Sequence, residues 1–211
     1  GGQIWAPIGG QFCVPIDMLD AFAPIAHQQD LLGTFSIMLA SSVLLVPLER
    51  AKVAHPLKQE QGGNLQSALD SLARQRWLEA EFWKGNATGD WRFSRIMGKP
   101  DNTHAWLNKA GQQSFSPEAN TIGKRKLGEV LYVLRNALAH GNIIYLDEKG
   151  HEEKGNRVEH LAFLSRCEPQ EDEANTYQLV TVREKDFLPF IKAWAQWIAA
   201  HNIQHIDDRV T

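Results

Sequence analysis

The chain has 211 residues, of which 43% are hydrophobic and 22% are charged, and it carries a formal net charge of −3 at pH 7. This composition is typical of a globular protein with a buried core and argues against a disordered chain. The slight acidity excludes a global attraction to nucleic acid or anionic membranes, so a site for a polyanion has to be local. Cys13 and Cys167 are far apart and belong to no CxxC motif, which predicts neither a disulfide framework nor a zinc site and fits a reducing cytoplasm.

We predict a single domain that comprises residues 1–211. Its N-terminal part begins with an irregular segment. Residues 1–26 are rich in Gly and Pro and lack the features of a signal peptide, so we do not expect export. Residues 31–48 contain no charge and are just long enough to raise the question of a membrane span. Because Gly33, three serines and Pro47 interrupt this run, we predict a helix that neighbours bury on all sides, inside the bundle or a dimer, with no membrane contact.

Two helices and a loop are predicted in the middle of the chain. The first helix extends from Asn64, a candidate N-cap, to Gly85, since leucines and aromatic residues mark one apolar face. Residues 86–116 contain many turn-forming Gly, Pro, Asn and Ser residues, which predict a loop with one short helix. The next long helix is expected to open at Pro117, which a first turn tolerates, and to end near His140.

Beyond this helix the periodicity becomes that of strands. Residues 142–146, 158–166 and 177–182 are rich in β-branched and aromatic residues, and polar turn-forming runs separate them. Helical spacing returns at Asp186, a candidate N-cap, and the predicted apolar side consists of Phe187, Ile191, Trp194 and Ile198. The predicted fold is therefore mainly α, a helical bundle with a small antiparallel β insertion of about three strands, residues 142–183, before the C-terminal helix.

The predicted helix that ends near His140 has two different faces. At about 100° per residue, its leucines line one side, which must pack on the core. The apolar face consists of Leu127, Leu131, Leu134 and Leu138, and a polar stripe roughly opposite consists of Arg125, Glu129, Tyr132, Asn136 and His140. Arg135 lies on the flank between them. Gly128 would let another backbone approach closely, and Gly141 is placed to end the helix.

The residue types at the end of this helix suit metal-independent RNA cleavage. A histidine such as His140 can take a proton from a ribose 2′-OH or return one to a leaving oxygen. The guanidinium of Arg135 offers a bidentate grip on a phosphate, and Asn136 can hold the imidazole ring or bind a phosphate oxygen. One histidine cannot easily act on both sides of the phosphorus, so we predict a homodimer in which the polar stripe faces its symmetry mate.

The stretch "RNALAH", residues 135–140, resembles the R-x4-6-H motif of HEPN domains, in the form where a polar residue, here Asn136, follows the arginine. The resemblance implies a helical core that dimerises through the motif helices. It also implies, in many cases, an endoribonuclease of a toxin–antitoxin, abortive-infection or other defence system, with Arg135, Asn136 and His140 as its site. The β insertion is similar to that of one HEPN subgroup found in plasmid and bacterial proteins.

One position departs from a known HEPN pattern. HEPN toxins that are paired with a nucleotidyltransferase antitoxin carry a tyrosine two residues after the histidine, as the target of modification. Here that position is Asn142, and Tyr145 comes later. Control by tyrosine modification is therefore not expected.

The sequence leaves two hypotheses about function open, and they belong to different classes. The first is a cytoplasmic, metal-independent HEPN endoribonuclease that needs no cofactor, with RNA as substrate and a second copy, an antitoxin or another protein as partner. The second is a non-catalytic HEPN module that binds RNA, a nucleotide or a protein. An Arg–Asn–His cluster can also simply cap carbonyls and favour the negative end of a helix dipole.

Other residues provide weaker candidates. The candidate substrate-binding residues are Arg125, Tyr132, Lys124 and Lys126, three of them in the basic run "GKRK", which fits a solvated first turn equally well. The aromatic set Trp77, Phe82, Trp83, Trp91 and Phe93 could stack bases, but we predict core positions for these rings and surface positions for the arginines among them. His201 and His205 have helical metal-ligand spacing, yet a solvated tail is the prediction and no metal is expected.

Overall fold

The computed structural model describes residues 10–50, 63–166 and 176–203. The chain divides into two compact units, one made of Gly1–Ser71 and Leu188–Thr211 and the other of Leu72–Phe187. About half of the structure is helical, and it contains one four-stranded antiparallel sheet. The predicted predominance of helix is thus right in part, while the helical bundle stays a prediction.

Six α-helices occur in the described residues. They are α1 (Gly10–Gln28), α2 (Leu32–Ala40), α3 (Val46–Arg50), α4 (Gly63–Arg74), α5 (Leu127–His140) and α6 (Glu184–Ile203), and a π-helical turn, Ser41–Leu45, joins α2 to α3. The prediction of an irregular N-terminal segment is wrong for residues 10–26, which belong to α1; residues 1–9 lie outside the described part. Burial of Leu19 and Ala26 offsets the low helix propensity of the glycine and prolines.

The uncharged run at residues 31–48 is buried on one side only. Leu39, Val43 and Leu44 are buried, whereas 54% of Leu31 and 70% of Met38 are exposed. One chain therefore buries this run only in part, and burial of the remainder within a dimer stays a prediction. The hydroxyl of a buried serine in this run, Ser36, donates to the carbonyl oxygen of Leu32 at 2.7 Å, which satisfies a polar group within an apolar helix.

Within the described ranges, no helix combines the length and the apolar character that crossing a membrane requires.

The strands form a sheet in the order β1-β4-β3-β2, with all neighbours antiparallel. Their bounds are β1 (Trp91–Met97), β2 (Ile143–Leu146), β3 (His160–Arg166) and β4 (Thr176–Arg183). Three strands confirm the sequence prediction. The fourth, β1, lies where a loop was predicted, and the one short helix predicted in residues 86–116 appears only as a 3-10 turn, Thr103–Ala105. The partner of β1 is β4, which is distant in sequence. The turn-forming residues of this region predicted a loop, because the pairing that forms the strand is long-range.

Both long helices of the middle region are shorter than predicted. The first, α4, ends at Arg74, and 3-10 turns replace the rest of its predicted length. The other, α5, begins at Leu127 and not at Pro117. The Asn120 side chain accepts the backbone N–H groups of Phe93 and Ile122 at 3.0 and 3.1 Å. Such local side-chain bonds compete with helix formation.

The core prediction for the aromatic set is confirmed. Trp77, Phe82, Trp83, Trp91 and Phe93 are each at most 5% exposed. The ring of Trp77 meets those of Trp83 and Trp91 edge-on, with centroids 5.6 and 4.7 Å apart. Arg74, Arg76 and Arg95 are exposed as predicted, and Arg92 is half-buried. These rings belong to the interior, where each contributes roughly 1.5–3 kcal/mol by leaving water, and they are not available to stack bases.

The apolar face of α5 packs against β3. Leu127, Val130, Leu131, Val133, Leu134 and Ala137 are buried, while Leu138 is half-buried. The predicted leucine face is confirmed for Leu127, Leu131 and Leu134. Because strand side chains alternate between faces, Ser165 of β3 shares a sheet face with Phe163. A second buried cluster, which includes Ile96, Trp106 and Leu164, covers the other face.

Candidate functional site at the end of α5

The helix α5 ends where the sequence predicts. Gly141 has φ +69°, a left-handed conformation that favours glycine, and it follows the last helical residue, His140. The N–H groups of Gly141 and Asn142 both point to the carbonyl oxygen of Ala137. The Asn142 carbonyl oxygen then accepts the N–H of Leu164 at 3.0 Å. The end of α5 is thereby tied to β3.

A hydrogen-bonded chain connects the motif to β3. Arg135 donates from Nε and Nη2 to the Oδ1 atom of Asn136, at 3.3 and 2.9 Å. Asn136 donates from Nδ2 to the Oγ atom of Ser165 at 3.0 Å. Ser165 is 3% exposed, whereas Arg135 and Asn136 are half-buried. The structure therefore brings two of the three predicted catalytic residues into direct contact and anchors them to a buried hydroxyl.

Tyr132 supports the same guanidinium from the preceding turn. The Cζ atom of Arg135 lies over the Tyr132 ring, 5.7 Å from its centroid. A cation that faces an aromatic ring at this distance gains about 0.5–1 kcal/mol at a partly exposed site. Of the candidate substrate-binding residues, Tyr132 is the one that the structure places beside the motif arginine.

His140 is exposed and stands apart from this chain of contacts. Its imidazole forms no hydrogen bond or ion pair with any residue in the described part of the chain. The structure thus places His140 on the same helix end as Arg135 and Asn136 but does not link it to them. An exposed imidazole at a helix end is accessible to a ligand.

A histidine of β3, His160, has the opposite environment. It is 4% exposed, and its Nδ1 atom lies 3.2 Å from the carbonyl oxygen of Asp147. Burial lowers the pKa of His160 below its usual value, partly opposed by that backbone hydrogen bond. His160 is accordingly a core histidine, and its sequence position alone does not distinguish it from the exposed His140.

The basic run "GKRK" lies at the other end of α5. Since a helix rises about 1.5 Å per residue, Lys124, Arg125 and Lys126 lie roughly 20 Å from His140. The guanidinium of Arg125 bonds with Glu129 Oε1 at 2.9 Å and with Thr121 Oγ1 at 3.2 Å. It also lies over the Phe93 ring, 4.3 Å from the centroid. Within one chain, these candidate substrate-binding residues do not join the motif.

Gly128 does permit a close approach, but the approaching group belongs to the same chain. A Cβ atom at this position would lie 3.2 Å from both the Cβ and the carbonyl oxygen of Ala73. The space beside Gly128 is therefore filled by the end of α4. It does not support the predicted homodimer, which rests on the polar stripe alone.

Ser165 is the site residue that the sequence analysis missed. Leu161, Phe163 and Ser165 occupy one face of β3, and the apolar pattern of that face stops at the serine. A buried hydroxyl where an apolar side chain is expected was the available signal, because buried polar groups require partners. Identifying that partner as Asn136 required the packing of α5 on β3.

Of the two C-terminal histidines, the structure describes His201. His201 is half-buried, with Nδ1 2.8 Å from the Trp197 carbonyl oxygen. His205 lies outside the described residues. Over residues 10–50, 63–166 and 176–203, no cluster of three or more His, Cys, Asp or Glu side chains is arranged to hold a metal ion.

Comparison with known proteins identifies a family. The family model described as HEPN pEK499 p136 matches residues 17–205 of the chain. The match spans α5 and all four strands, so it covers far more than the six-residue motif, residues 135–140. No curated protein gives a significant match, and no solved structure does.

Proposed function

We propose that this chain, which belongs to the HEPN family pEK499 p136, is a metal-independent endoribonuclease. In this proposal, its site lies at the end of α5. Membership in a HEPN family supports a nucleotide- or RNA-related function in general. The observation that carries the finer proposal is the contact of Arg135 with Asn136 on the helix end that exposes His140. A guanidinium and an exposed imidazole thus lie within the last two turns of one helix.

The proposed reaction uses the ribose of the RNA as nucleophile. His140 takes the proton of the 2′-OH, and the O2′ atom forms a bond to phosphorus while the bond from phosphorus to the 5′-oxygen breaks. His140 of the partner subunit protonates the departing 5′-oxygen. Arg135 holds the phosphate as its charge grows in the transition state. The products are a 2′,3′-cyclic phosphate, or the 3′-phosphate that it hydrolyses to, and a 5′-hydroxyl.

The need for a second histidine supports a homodimer in this proposal. The described part of one chain supplies a single exposed imidazole to this helix end, and a two-fold axis beside α5 would supply the other. The polar stripe of α5, with Tyr132 and Asn136, is the surface that would meet its copy. Light scattering at micromolar concentration tests this, and a strictly monomeric particle contradicts it.

The biological setting that we propose is a toxin–antitoxin or phage-defence system in the cytoplasm. The partner would then be an antitoxin or another protein that restrains cleavage. The family match supports this setting only through the general association of HEPN domains with RNA and protein interactions.

Digestion of a single-stranded RNA tests the catalytic proposal. We expect cleavage with cyclic phosphate ends that is insensitive to EDTA, because side chains carry out both proton transfers. His140→Ala should lower the rate about 100- to 10,000-fold, the usual effect of losing a general acid or base. His27→Ala is the matched control, since His27 is likewise an exposed histidine in the last turn of a helix. Equal cleavage by wild type and His140→Ala would refute the site.

A non-catalytic HEPN module is the second candidate function. The lack of a hydrogen bond from His140 to the described residues favours it, because a catalytic imidazole is usually oriented by a neighbour. Such a module would bind RNA, a nucleotide or a protein without cutting. RNA binding by a wild-type protein that leaves the RNA intact would support this second candidate.

A further inference from the structure

Hydrogen-bond chemistry determines how the Asn136 amide is oriented. A guanidinium can only donate, so the group of Asn136 that faces Arg135 has to be the carbonyl oxygen, Oδ1. The amide nitrogen then points away from Arg135 and needs an acceptor of its own. Ser165 Oγ provides that acceptor at 3.0 Å.

Ser165 is well suited to remain an acceptor. The carbonyl oxygen of Arg166, 3.4 Å away, is an acceptor within reach of its own proton, and Oγ has lone pairs for the Asn136 amide. The side chain is 3% exposed, so water is a poor substitute on that side. Ser165 pairs with Gln178 of β4, and the N–H of the preceding Leu164 donates to the Asn142 carbonyl oxygen at 3.0 Å. The backbone that carries the hydroxyl is therefore held in place, and a side chain of α5 can be oriented against it.

Removing this acceptor would release the amide. The nitrogen of Asn136 would lose its buried partner, and an unsatisfied buried donor is costly. The amide could then rotate toward solvent or turn its nitrogen to Arg135, where two donors would face each other. Either change withdraws Oδ1 from the guanidinium.

We propose that Ser165 is a positioning residue that fixes the orientation of the Arg135 guanidinium through the amide of Asn136. The functional part of this inference rests on the proposed ribonuclease activity, in which Arg135 holds the scissile phosphate. It also assigns Asn136 a role that differs from the two considered from sequence, which were holding the imidazole and binding a phosphate oxygen: its oxygen holds Arg135, and its nitrogen is held by Ser165. Neither Ser165 nor Asn136 needs to touch the RNA.

The first experiment tests, without RNA, the hydrogen-bonded series Ser165–Asn136–Arg135, called the relay below. In 15N NMR spectra, Ser165→Ala should shift the Arg135 Nε–H and Asn136 Nδ2–H2 signals, and Ser165→Thr, which keeps the hydroxyl, should restore them. Ser94→Ala is the matched control, because Ser94 is also 3% exposed and in a strand, and pairs with Leu179. Unchanged Arg135 and Asn136 signals in a folded Ser165→Ala protein would overturn the proposal.

The second experiment measures cleavage. Ser165→Ala should lower kcat about 2- to 15-fold, the worth of one neutral hydrogen bond, with little change in KM. Ser94→Ala should leave kcat unchanged. In an Asn136→Ala background, Ser165→Ala should have no further effect, because the two residues act in series. An equal loss with and without Asn136 would mean that Ser165 acts structurally, which overturns the relay.

The two experiments separate this inference from the proposed function. If wild type does not cut RNA but the NMR signals move as expected, the ribonuclease proposal fails and the positioning of Arg135 stands. If wild type cuts RNA and Ser165→Ala alters neither signals nor kcat, the positioning fails and the ribonuclease stands. Should Ser165→Ala not fold, Asn136→Ala breaks the relay from its half-buried side and should shift the Arg135 signal; an unmoved signal would overturn the proposal.

Discussion

The two ends of α5 each carry an arginine that lies over an aromatic ring, yet the two arginines are held differently. At the start, Arg125 forms an ion pair with Glu129 at 2.9 Å and lies over Phe93. At the end, Arg135 is held by the amide of Asn136 and lies over Tyr132. A carboxylate offsets the positive charge of Arg125, whereas the amide of Asn136 helps to orient the guanidinium of Arg135 and itself carries no charge. In the proposed function, the first arginine is structural and the second binds the phosphate.

The largest expected effect concerns Arg135. Arg135→Ala should lower RNA cleavage about 100- to 1,000-fold, as the loss of one electrostatic stabiliser usually does, while the fold loses only about 1–2 kcal/mol through the hydrogen bonds to Asn136. Cleavage rates and thermal melts of the same preparation check both parts. If Arg135→Ala unfolds the protein, Arg135 is a structural residue like Arg125, and the proposed difference between the two ends of α5 is wrong.

A smaller effect is expected from Gly128, near the start of α5. Gly128→Val should lower the free energy of unfolding by about 1–3 kcal/mol, a common cost of overpacking, since even a Cβ atom would lie 3.2 Å from Ala73. Gly123→Val is the control, because a Cβ atom there meets nothing within 4 Å. Urea unfolding measures both variants. If Gly128→Val instead leaves unfolding unchanged and weakens self-association, the contact that matters is between copies.

The smallest effect concerns Arg125. Arg125→Ala should destabilise the fold by about 1–2 kcal/mol, because a partly buried guanidinium loses hydrogen bonds to a carboxylate and a hydroxyl. RNA cleavage at a temperature where the variant is folded should remain near the wild-type rate. The exposed Arg76, which pairs with Glu79 at 3.9 Å, is a control whose replacement should cost less than about 0.5 kcal/mol. A large loss of cleavage in folded Arg125→Ala would extend the site to the start of α5.

Sequence patterns predicted the parts of this fold that depend on local periodicity. The strands β2, β3 and β4 and the apolar side of α6, with Phe187, Ile191 and Trp194 fully buried, follow from residue type and spacing. The lengths of α4 and α5 did not, because side chains such as Asn120 bind backbone groups that a helix would otherwise use. The strand β1 was missed because its partner, β4, is distant in sequence.

By itself, the sequence determined the end of α5 and the identity of the motif, because Gly141 is suited to the left-handed turn and "RNALAH" precedes it directly. Only the tertiary structure decided which of these side chains meet. Asn136 contacts Arg135 and Ser165 because α5 packs on β3, and no spacing along the chain relates Ser165 to the motif. Likewise, only packing could bury His160 and leave His140 exposed. Local order follows from neighbours in the chain, whereas a site depends on contacts between residues that are distant in sequence.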